Sequence, residues 1–277
     1  MLKLLSDKKH FSPFEHGTVY LCYKYDFDGD PEIGLDIYKK NPYSRVKYVS
    51  NDDGTVNIFI TTNYRVIVEN KLEDDLEYLC DPTQHHEKRI TVKFICSAGI
   101  GRELTRHRAF SFMQESTRFC NYSKDKFDNQ LTFIIPQWIY DCQQDLSNTV
   151  DWPLNQKKSY LLEHTGQDLI EHYLVCEDRC VASWYHLLEK VESDYLYFTT
   201  EPDGYKLSPQ EARGILPLDI KSELVMTGFA NDWIGFFKQR SSIASTGKPH
   251  PDMIKLIDPL MKTFISLKLI DYEQDKE

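Results

Sequence analysis

The sequence predicts a mixed α/β protein in which helices flank one central mixed sheet. Strand-like segments rich in β-branched and aromatic residues alternate along the chain with segments whose apolar residues recur at helical spacing. A chain of 277 residues, 41% hydrophobic and 27% charged, is long enough to bury a sizeable core. No segment has the composition of a linker, so we predict a single domain spanning residues 1–277.

The first half of the chain contains three strand patterns and two helix patterns. Asn63, or Thr62 before it, is a residue type that caps helices, and the apolar spacing after it is helical. Clean alternation marks the strands. The predicted strands are residues 18–25, 56–61 and 90–96, and the predicted helices are residues 64–80 and 100–108.

An excursion on the surface is predicted within residues 24–88. Positions 26–53 are polar, acidic and punctuated by glycine and proline, which is typical of loops.

The second half of the chain is richer in helix. Ser208 to Glu211 spells a capping box with proline at the first helical position, so a short helix begins there. Further strands are predicted at residues 130–135 and 220–227, a helical block at 154–191, and helices at 228–240 and 251–269.

Charge and composition exclude several classes of function. The chain has 33 basic and 43 acidic residues, a formal net charge of -10, which argues against a general nucleic-acid or membrane-surface binder. No apolar run approaches the roughly 18 to 20 residues that cross a bilayer, and no signal peptide is evident. We therefore expect a cytoplasmic protein with no membrane or nucleic-acid partner.

Seven cysteines without a Cys-x-x-Cys pair indicate neither a disulfide framework nor a zinc ribbon. Cys176 and Cys180 are four residues apart, with His172 and His186 nearby, but we interpret them as ordinary buried thiols. We expect no bound metal.

One cationic segment stands out in this acidic chain. Arg106, His107, Arg108, Ser116 and Arg118 place five anion-binding groups within 13 positions. Arginine grips phosphate or carboxylate in a planar fork, so a particular small anion is indicated. The alternative is that the first three residues only end a helix, where cations complement the dipole.

Three residues elsewhere also suggest a site. Arg240 continues the apolar stripe of the 228–240 helix, where an unpaired guanidinium is strongly penalised; the alternative is an arginine that snorkels to solvent. Arg213 lies one turn before the break at Pro217. His16 lies at a helix-to-strand turn, where a capping or core histidine is the alternative.

These residues occur in blocks that resemble the flavin-dependent thymidylate synthases. Arg106-His107-Arg108, seven further residues and Ser116 match the signature of that family, and Arg118 and Phe119 match the positions after it. Three more blocks are similar to family motifs in the expected order. They are Pro13-Phe14-Glu15-His16, Ala212-Arg213-Gly214-Ile215-Leu216-Pro217, and Phe236-Phe237-Lys238-Gln239-Arg240 with His250-Pro251 beyond.

The resemblance implies a fold, a reaction and a set of roles. The implied reaction converts dUMP to dTMP with methylenetetrahydrofolate as carbon donor and NADPH as reductant of bound FAD, in a homotetramer with shared sites. The residues implied to contact FAD are His16, Arg106, His107, Arg108 and His250. Those implied to hold dUMP are Glu103, Gln114, Ser116, Arg118, Arg213 and Arg240, with Arg240 and Ser116 as the catalytic pair. No cysteine is needed as a nucleophile in this family.

Two residues depart from the family pattern. Met113 stands where many members have Asn or Ser, and Gly235 stands where His or Asn is common near the flavin. They leave open a related flavoprotein that acts on another pyrimidine nucleotide. A non-catalytic nucleotide- or RNA-binding module is a further alternative, in which the arginines and nearby aromatic residues bind nucleotides by charge and stacking.

Overall fold

Six strands form two three-stranded sheets in the computed structural model, which describes residues 11–26, 33–142, 179–200, 204, 206–243 and 247–271. The sheet orders are β1-β3-β2, called sheet A, and β4-β6-β5, called sheet B. The strands are β1 (Thr18–Tyr25), β2 (Arg45–Ser50), β3 (Val56–Asn63), β4 (Arg89–Ser97), β5 (Ser111–Gln114) and β6 (Lys221–Phe229).

Helices accompany both sheets, so the mixed α/β class is confirmed. The single central sheet that we predicted is replaced by two smaller ones. The α-helices are α1 (Leu35–Lys40), α2 (Tyr64–Asn70), α3 (Ala98–Leu104), α4 (Gln137–Cys142), α5 (Arg179–Thr200), α6 (Pro209–Ala212), α7 (Ala230–Arg240) and α8 (Pro251–Ser266).

Contacts between Cα atoms divide the described residues into two compact units. Unit 1 draws on Met1–Phe94, Glu103–Gln114 and Leu224–Glu277, and unit 2 on Ile95–Arg102 and Glu115–Glu223. The single domain expected from composition stays a prediction.

Sheet A in unit 1 is antiparallel and packs one of its faces on a hydrophobic core. Strand β3 is central, with Ile60 opposite Leu21 of β1 and Val46 of β2. Because side chains alternate along a strand, these residues share the face that packs on α1 and α2. The buried core beneath that face is formed by Val19, Leu21, Ile33, Tyr38, Ile58, Ile60, Val66 and Ile67.

The segment predicted as a surface excursion is more ordered than its composition suggests. It contributes helix α1 and edge strand β2. Tyr38 of α1 is fully buried, and its hydroxyl donates a hydrogen bond of 2.8 Å to Asp75. The sequence did not predict this buried contact, because a single buried tyrosine among polar residues gives no periodic pattern.

The helix predicted to run to Cys80 ends earlier. Asn63 caps α2 as expected, accepting a hydrogen bond from the Val66 amide. Lys71 then adopts a left-handed conformation with φ 58°, which ends the α-helix. A 3-10 helix, Glu73–Tyr78, follows.

Sheet B is built differently from the prediction as well. The predicted strand at 130–135 is not formed; Phe133 makes only an isolated bridge to Ile220. Instead, β5 lies within the cationic segment, antiparallel to β6 with Ser111 opposite Thr227. The apolar residues of segment 130–135 are explained by burial, since Leu131 belongs to the hydrophobic core of unit 2.

Helix α7 buries its aromatic stripe in unit 1 as predicted. Phe229, Trp233, Phe236 and Phe237 are each at most 2% exposed. The indole of Trp233 packs on Phe264 of α8, with ring centroids 5.1 Å apart. The C-terminal residue of α7, Arg240, is therefore held by a rigid aromatic core.

In unit 2, the capping box at Ser208 and Glu211 is confirmed at the start of α6. Of the helical block predicted at 154–191, residues 179–191 belong to α5, and the remainder, with His172 and Cys176, lies outside the described residues. No helix in the described part of the chain has the length and apolar content to cross a membrane. The same residues contain no group of three or more His, Cys, Asp or Glu side chains arranged to hold a metal ion.

Candidate active site

Arg240 lies at the centre of a three-residue cluster in unit 1. Its Nε donates a 2.8 Å hydrogen bond to Nε2 of His107, and its Nη1 lies 3.4 Å from Oε2 of Glu103. The Arg240 side chain is 23% exposed. We expected a guanidinium on this stripe to need partners. It has two, His107 in the cationic segment and Glu103 in helix α3, which precedes that segment.

The ring of His107 is held in its neutral form. Burial, reinforced by the positive charge of Arg240, lowers its pKa to about 4. Because Nε2 accepts the hydrogen bond from Arg240, the ring proton resides on Nδ1. The ring edge packs on Phe236 at a centroid distance of 4.9 Å. His107 thus offers one N–H donor of fixed direction.

Arg106 and Arg108 lie in a turn between α3 and β5. The predicted helix at 100–108 was too long, since α3 ends at Leu104. The chain turns there because Phe110 is buried, with its ring 4.9 Å from Trp233. Both guanidinium groups are exposed, and neither has an ion-pair partner among the described residues. They are cations open to an arriving anion.

Glycine at position 228 is required by this turn. A side chain there would overlap the ring of Phe110. Phe110 therefore occupies a slot that only glycine leaves open.

His16 and His250 are placed by backbone features of unit 1. His16 ends the 3-10 helix Ser12–His16, and its Nδ1 lies 2.7 Å from the hydroxyl of Thr227. Burial lowers the His16 pKa. His250 caps α8, its Nδ1 accepting from the amide of Asp252 at 3.2 Å. Neither histidine is hydrogen-bonded to the Arg240 cluster, so the flavin contacts implied for them stay predictions.

Gln114 is the last residue of β5, opposite Leu224 of β6, and its side chain is exposed. The role implied for it toward a nucleotide stays a prediction.

In unit 2, Arg118 lies beside helix α6. Its Nε donates a 3.0 Å hydrogen bond to Oε1 of Gln210, and its guanidinium lies 5.4 Å from the ring centroid of Phe119. Phe119 is 75% exposed. The carbonyl of Ser116 accepts from the amides of Phe119 and Cys120, which makes a tight turn there.

Arg213 follows α6 directly and begins the 3-10 helix Arg213–Ile215. Its side chain is exposed. Arg118 and Arg213 are thus both attached to α6, one through Gln210 and the other through the chain itself.

Sequence reasoning missed two arginines in unit 1. The guanidinium groups of Arg45 and Arg89 lie 4.2 and 5.6 Å from the ring centroid of Phe229. Burial lowers the pKa of Arg89 to about 10, and its Nη2 donates to the carbonyl of Glu15 at 2.9 Å. Their signal was faint, because Arg45 lies in the segment that we interpreted as a surface excursion and Arg89 lies just before the predicted strand at 90–96.

Arg45 also lies between two carboxylates. Its nitrogens are 3.5 Å from Glu87 and 3.5 Å from Asp232. Burial raises the pKa of both acids, and the charge of Arg45 opposes that shift.

Comparison with known proteins agrees with the sequence motifs. A family model described as thymidylate synthase complementing protein matches residues 81–260, well over half of the chain. Among curated proteins, none matches.

Two solved structures are similar to parts of the chain. A flavin-dependent thymidylate synthase ThyX from Helicobacter pylori, complexed with FAD and dUMP, is 18% identical, with 72% of this chain and 73% of that chain covered and a TM-score of 0.37. A second structure of thymidylate synthase X from the same organism with FAD and dUMP is 16% identical, with the same coverage and a TM-score of 0.36. The family assignment rests on the family model.

Proposed function

The chain belongs to the thymidylate synthase complementing protein family, and from that premise we propose that it is a flavin-dependent thymidylate synthase. It converts dUMP, methylenetetrahydrofolate and NADPH to dTMP, tetrahydrofolate and NADP, with FAD as the bound cofactor. The observation that carries the proposal is the cluster of Arg240, Glu103 and His107, which unites two of the four sequence blocks in one place.

The residues of the cluster suit the chemistry of a pyrimidine. The uracil ring must become electron-rich at one carbon before it attacks a methylene donor, so negative charge grows on its carbonyl oxygens. Arg240 supplies a fixed positive charge for those oxygens, and Glu103 and the neutral His107 hold the guanidinium in one orientation. The neutral histidine does not offset the charge of Arg240, which only the carboxylate of Glu103 offsets in part.

The donors near this cluster also fit FAD. Arg106 and Arg108 are exposed cations suited to a diphosphate, and the Nδ1 proton of His107 is suited to a ring nitrogen or carbonyl. When bound, the reduced flavin supplies the hydride that the reaction needs. His16 and His250 complete the set that we propose for FAD.

A further set of residues is proposed to hold the nucleotide. We propose that Arg118 and Arg213 grip the phosphate of dUMP, with Ser116 and Gln114 as further donors. Sharing of sites between subunits of a homotetramer is part of the proposal, as is a cytoplasmic location where small soluble substrates are available.

An enzyme of the same family that acts on another pyrimidine nucleotide is the second candidate. Gly235 is exposed and a Cβ there would meet nothing within 4 Å, so the space that a longer side chain would fill is open. If the flavin or nucleotide binds beside Gly235, as the family pattern implies, that space would admit a differently substituted ring.

Tritium release from 5-tritiated dUMP tests the proposal directly. We expect yellow protein that loses its colour with NADPH and releases tritium only when methylenetetrahydrofolate is also present. Release from dUMP that needs no flavin would contradict the mechanism. Activity with 5-tritiated dCMP and none with dUMP would favour the second candidate, and colourless protein that binds RNA would favour a binding module.

A further inference from the structure

A second ligand site is indicated on the face of sheet A opposite its core. A cavity of about 370 Å³ lies there, lined by residues that include Arg45, Lys47, Phe59, Gln84, His85 and Glu87. We call it the His85 cavity. None of the residues proposed for FAD or dUMP lines it.

The floor of the cavity is held by His86. Its Nδ1 accepts from the amide of Thr83 at 3.1 Å, so its proton lies on Nε2, which donates to the carbonyl of Leu21 at 3.1 Å. Burial lowers the His86 pKa and keeps the ring neutral. The ring packs edge-on against Tyr20 and Phe59, each at 5.2 Å between centroids. The chain segment that carries His85 is thereby fixed to the sheet.

One partly exposed ring, that of His85, lies at one side of the cavity. The rings of Phe59 and His85 lie 4.9 Å apart with an interplanar angle of 38°. Phe59 is only 7% exposed and supports one side of the His85 ring, so His85 is the ring on which a ligand ring could stack.

The polar side chains of the cavity fall into two groups. Arg45 already has protein partners, because it donates hydrogen bonds to the carbonyls of Pro42 and Ser44 and forms an ion pair with Glu87. By contrast, Lys47, Gln84 and the ring nitrogens of His85 have no hydrogen-bond partner among the described residues. Arg45 is shared between Glu87 and Asp232, and Lys47 is the lining cation that has no ion-pair partner among the described residues. Lys47 lies directly opposite Phe59 in the β2–β3 register.

From this arrangement we propose that the His85 cavity binds a small organic anion in which a phosphate or carboxylate is attached to a flat ring. The ring stacks on His85, which Phe59 supports from beneath, and the anionic group is bound by Lys47 with Gln84 as a further donor. The cavity volume lies at the low end of the range for small-molecule sites. Arg45, Lys47 and Phe59 precede residue 81, where the family match begins, so the site is not carried by the matched segment alone.

The proposal does not depend on the proposed function, and its test keeps the two apart. The protein is saturated with FAD and dUMP, so that a nucleotide site is filled, and is then titrated calorimetrically with four probes. Adenosine monophosphate and benzoate carry both a ring and an anion, from a phosphate and a carboxylate source. Adenosine carries the ring alone, and inorganic phosphate the anion alone.

We expect at least one of the two complete probes to bind once per chain and at least about tenfold more tightly than either partial probe, because ring and anion each contribute. Whichever complete probe binds identifies the source of the anion. Equal affinity for a complete probe and inorganic phosphate, or no binding of either complete probe at millimolar concentration, overturns the proposal.

Variants locate the binding. Lys47→Gln should weaken the complete probe about tenfold through loss of a charged hydrogen bond, and His85→Ala should weaken it through loss of the ring. Lys88→Gln removes an exposed charge from the same segment but outside the cavity and should change nothing. Lys47→Arg keeps the charge and should retain binding, which controls for folding. If Lys47→Gln binds as tightly as Lys88→Gln, the cavity is not the site.

Discussion

The two ends of helix α7 hold arginines in opposite ways. At its N-terminal end, Arg45 stacks on Phe229 and faces two carboxylates, Glu87 and Asp232, both at 3.5 Å. At its C-terminal end, Arg240 faces one carboxylate and a neutral histidine. Two carboxylates therefore offset the charge of Arg45, whereas a single carboxylate offsets the charge of Arg240.

This difference supports a structural role for Arg45 and is consistent with the functional role that we propose for Arg240. An arginine between two acids and an aromatic face has its electrostatic needs met by the protein itself. An arginine whose closest partner is an uncharged imidazole still attracts an anion. The Arg240 cluster is formally neutral, whereas the Arg45 cluster carries one excess negative charge, so the Arg240 cluster repels an anion less. The exposed Arg106 and Arg108 on either side of His107 add positive charge there.

The largest expected effect belongs to the C-terminal end. Arg240→Ala should reduce tritium release from dUMP by at least about a hundredfold, because the charge that stabilises the carbonyl oxygens is lost. Lys238→Ala removes an exposed charge from the same turn and should leave turnover within about twofold. If Arg240→Ala retains ordinary turnover in folded yellow protein, Arg240 does not have the role assigned here.

The N-terminal end should respond in stability rather than turnover. Arg45→Ala should lower the free energy of unfolding by about 2 kcal/mol, because Glu87 and Asp232 then lose the cation between them and only Arg89 remains near Asp232. Lys24→Ala breaks an ion pair that is more than half exposed and should cost no more than about 0.5 kcal/mol.

The Arg45 deficit should also depend on pH. The pKa of both acids is raised in the folded protein, so the folded state binds more protons than the unfolded state and loses stability as pH rises above about 4. Without Arg45 that loss steepens, and urea unfolding should show a larger deficit at about pH 8 than at about pH 5. A deficit that is the same at both pH values would show that the carboxylates are not its source.

The smallest change is a shift in one titration. His107, with a pKa of about 4, binds fewer protons when folded, so its contribution to stability is complete above about pH 6.5 and is lost as pH falls toward 4. Arg240→Gln removes the neighbouring charge and should raise the His107 pKa, measured by NMR of the imidazole. The matched Lys238→Gln should leave it in place. An unchanged midpoint in Arg240→Gln would mean that burial alone sets the pKa.

The sequence analysis identified Arg240 at the C-terminal end of α7 but missed Arg45 and Arg89 near its N-terminal end, for a physical reason. Arg240 interrupts an aromatic stripe with helical periodicity, and such an interruption is visible in one dimension. Arg45 and Arg89 become unusual only when two sheets and a helix meet at Phe229, a contact with no sequence spacing. The pairing of Arg240 with Glu103, 137 residues away, was likewise expected in kind but not in identity.

Fold elements followed the same rule. Strand β1 matched its prediction at both ends because its alternation is uninterrupted. Strand β2 was missed because its burial pattern is weak on both faces, as befits an edge strand. The short strand β5 was also missed, because we interpreted the segment around it by its charges. Ser111 and its neighbours pair with β6.

The fit of Phe110 against Gly228 has a thermodynamic consequence for Arg106 and Arg108. The buried ring of Phe110 lies two residues beyond Arg108, so the backbone of the turn loses its conformational entropy when the protein folds. An arriving anion then has only side-chain rotamers to freeze, about 2 kcal/mol for each arginine, and avoids the further 1 to 2 kcal/mol or so per residue of a loose loop. Enlarging position 228 would thus weaken anion affinity through entropy while leaving both guanidinium groups intact.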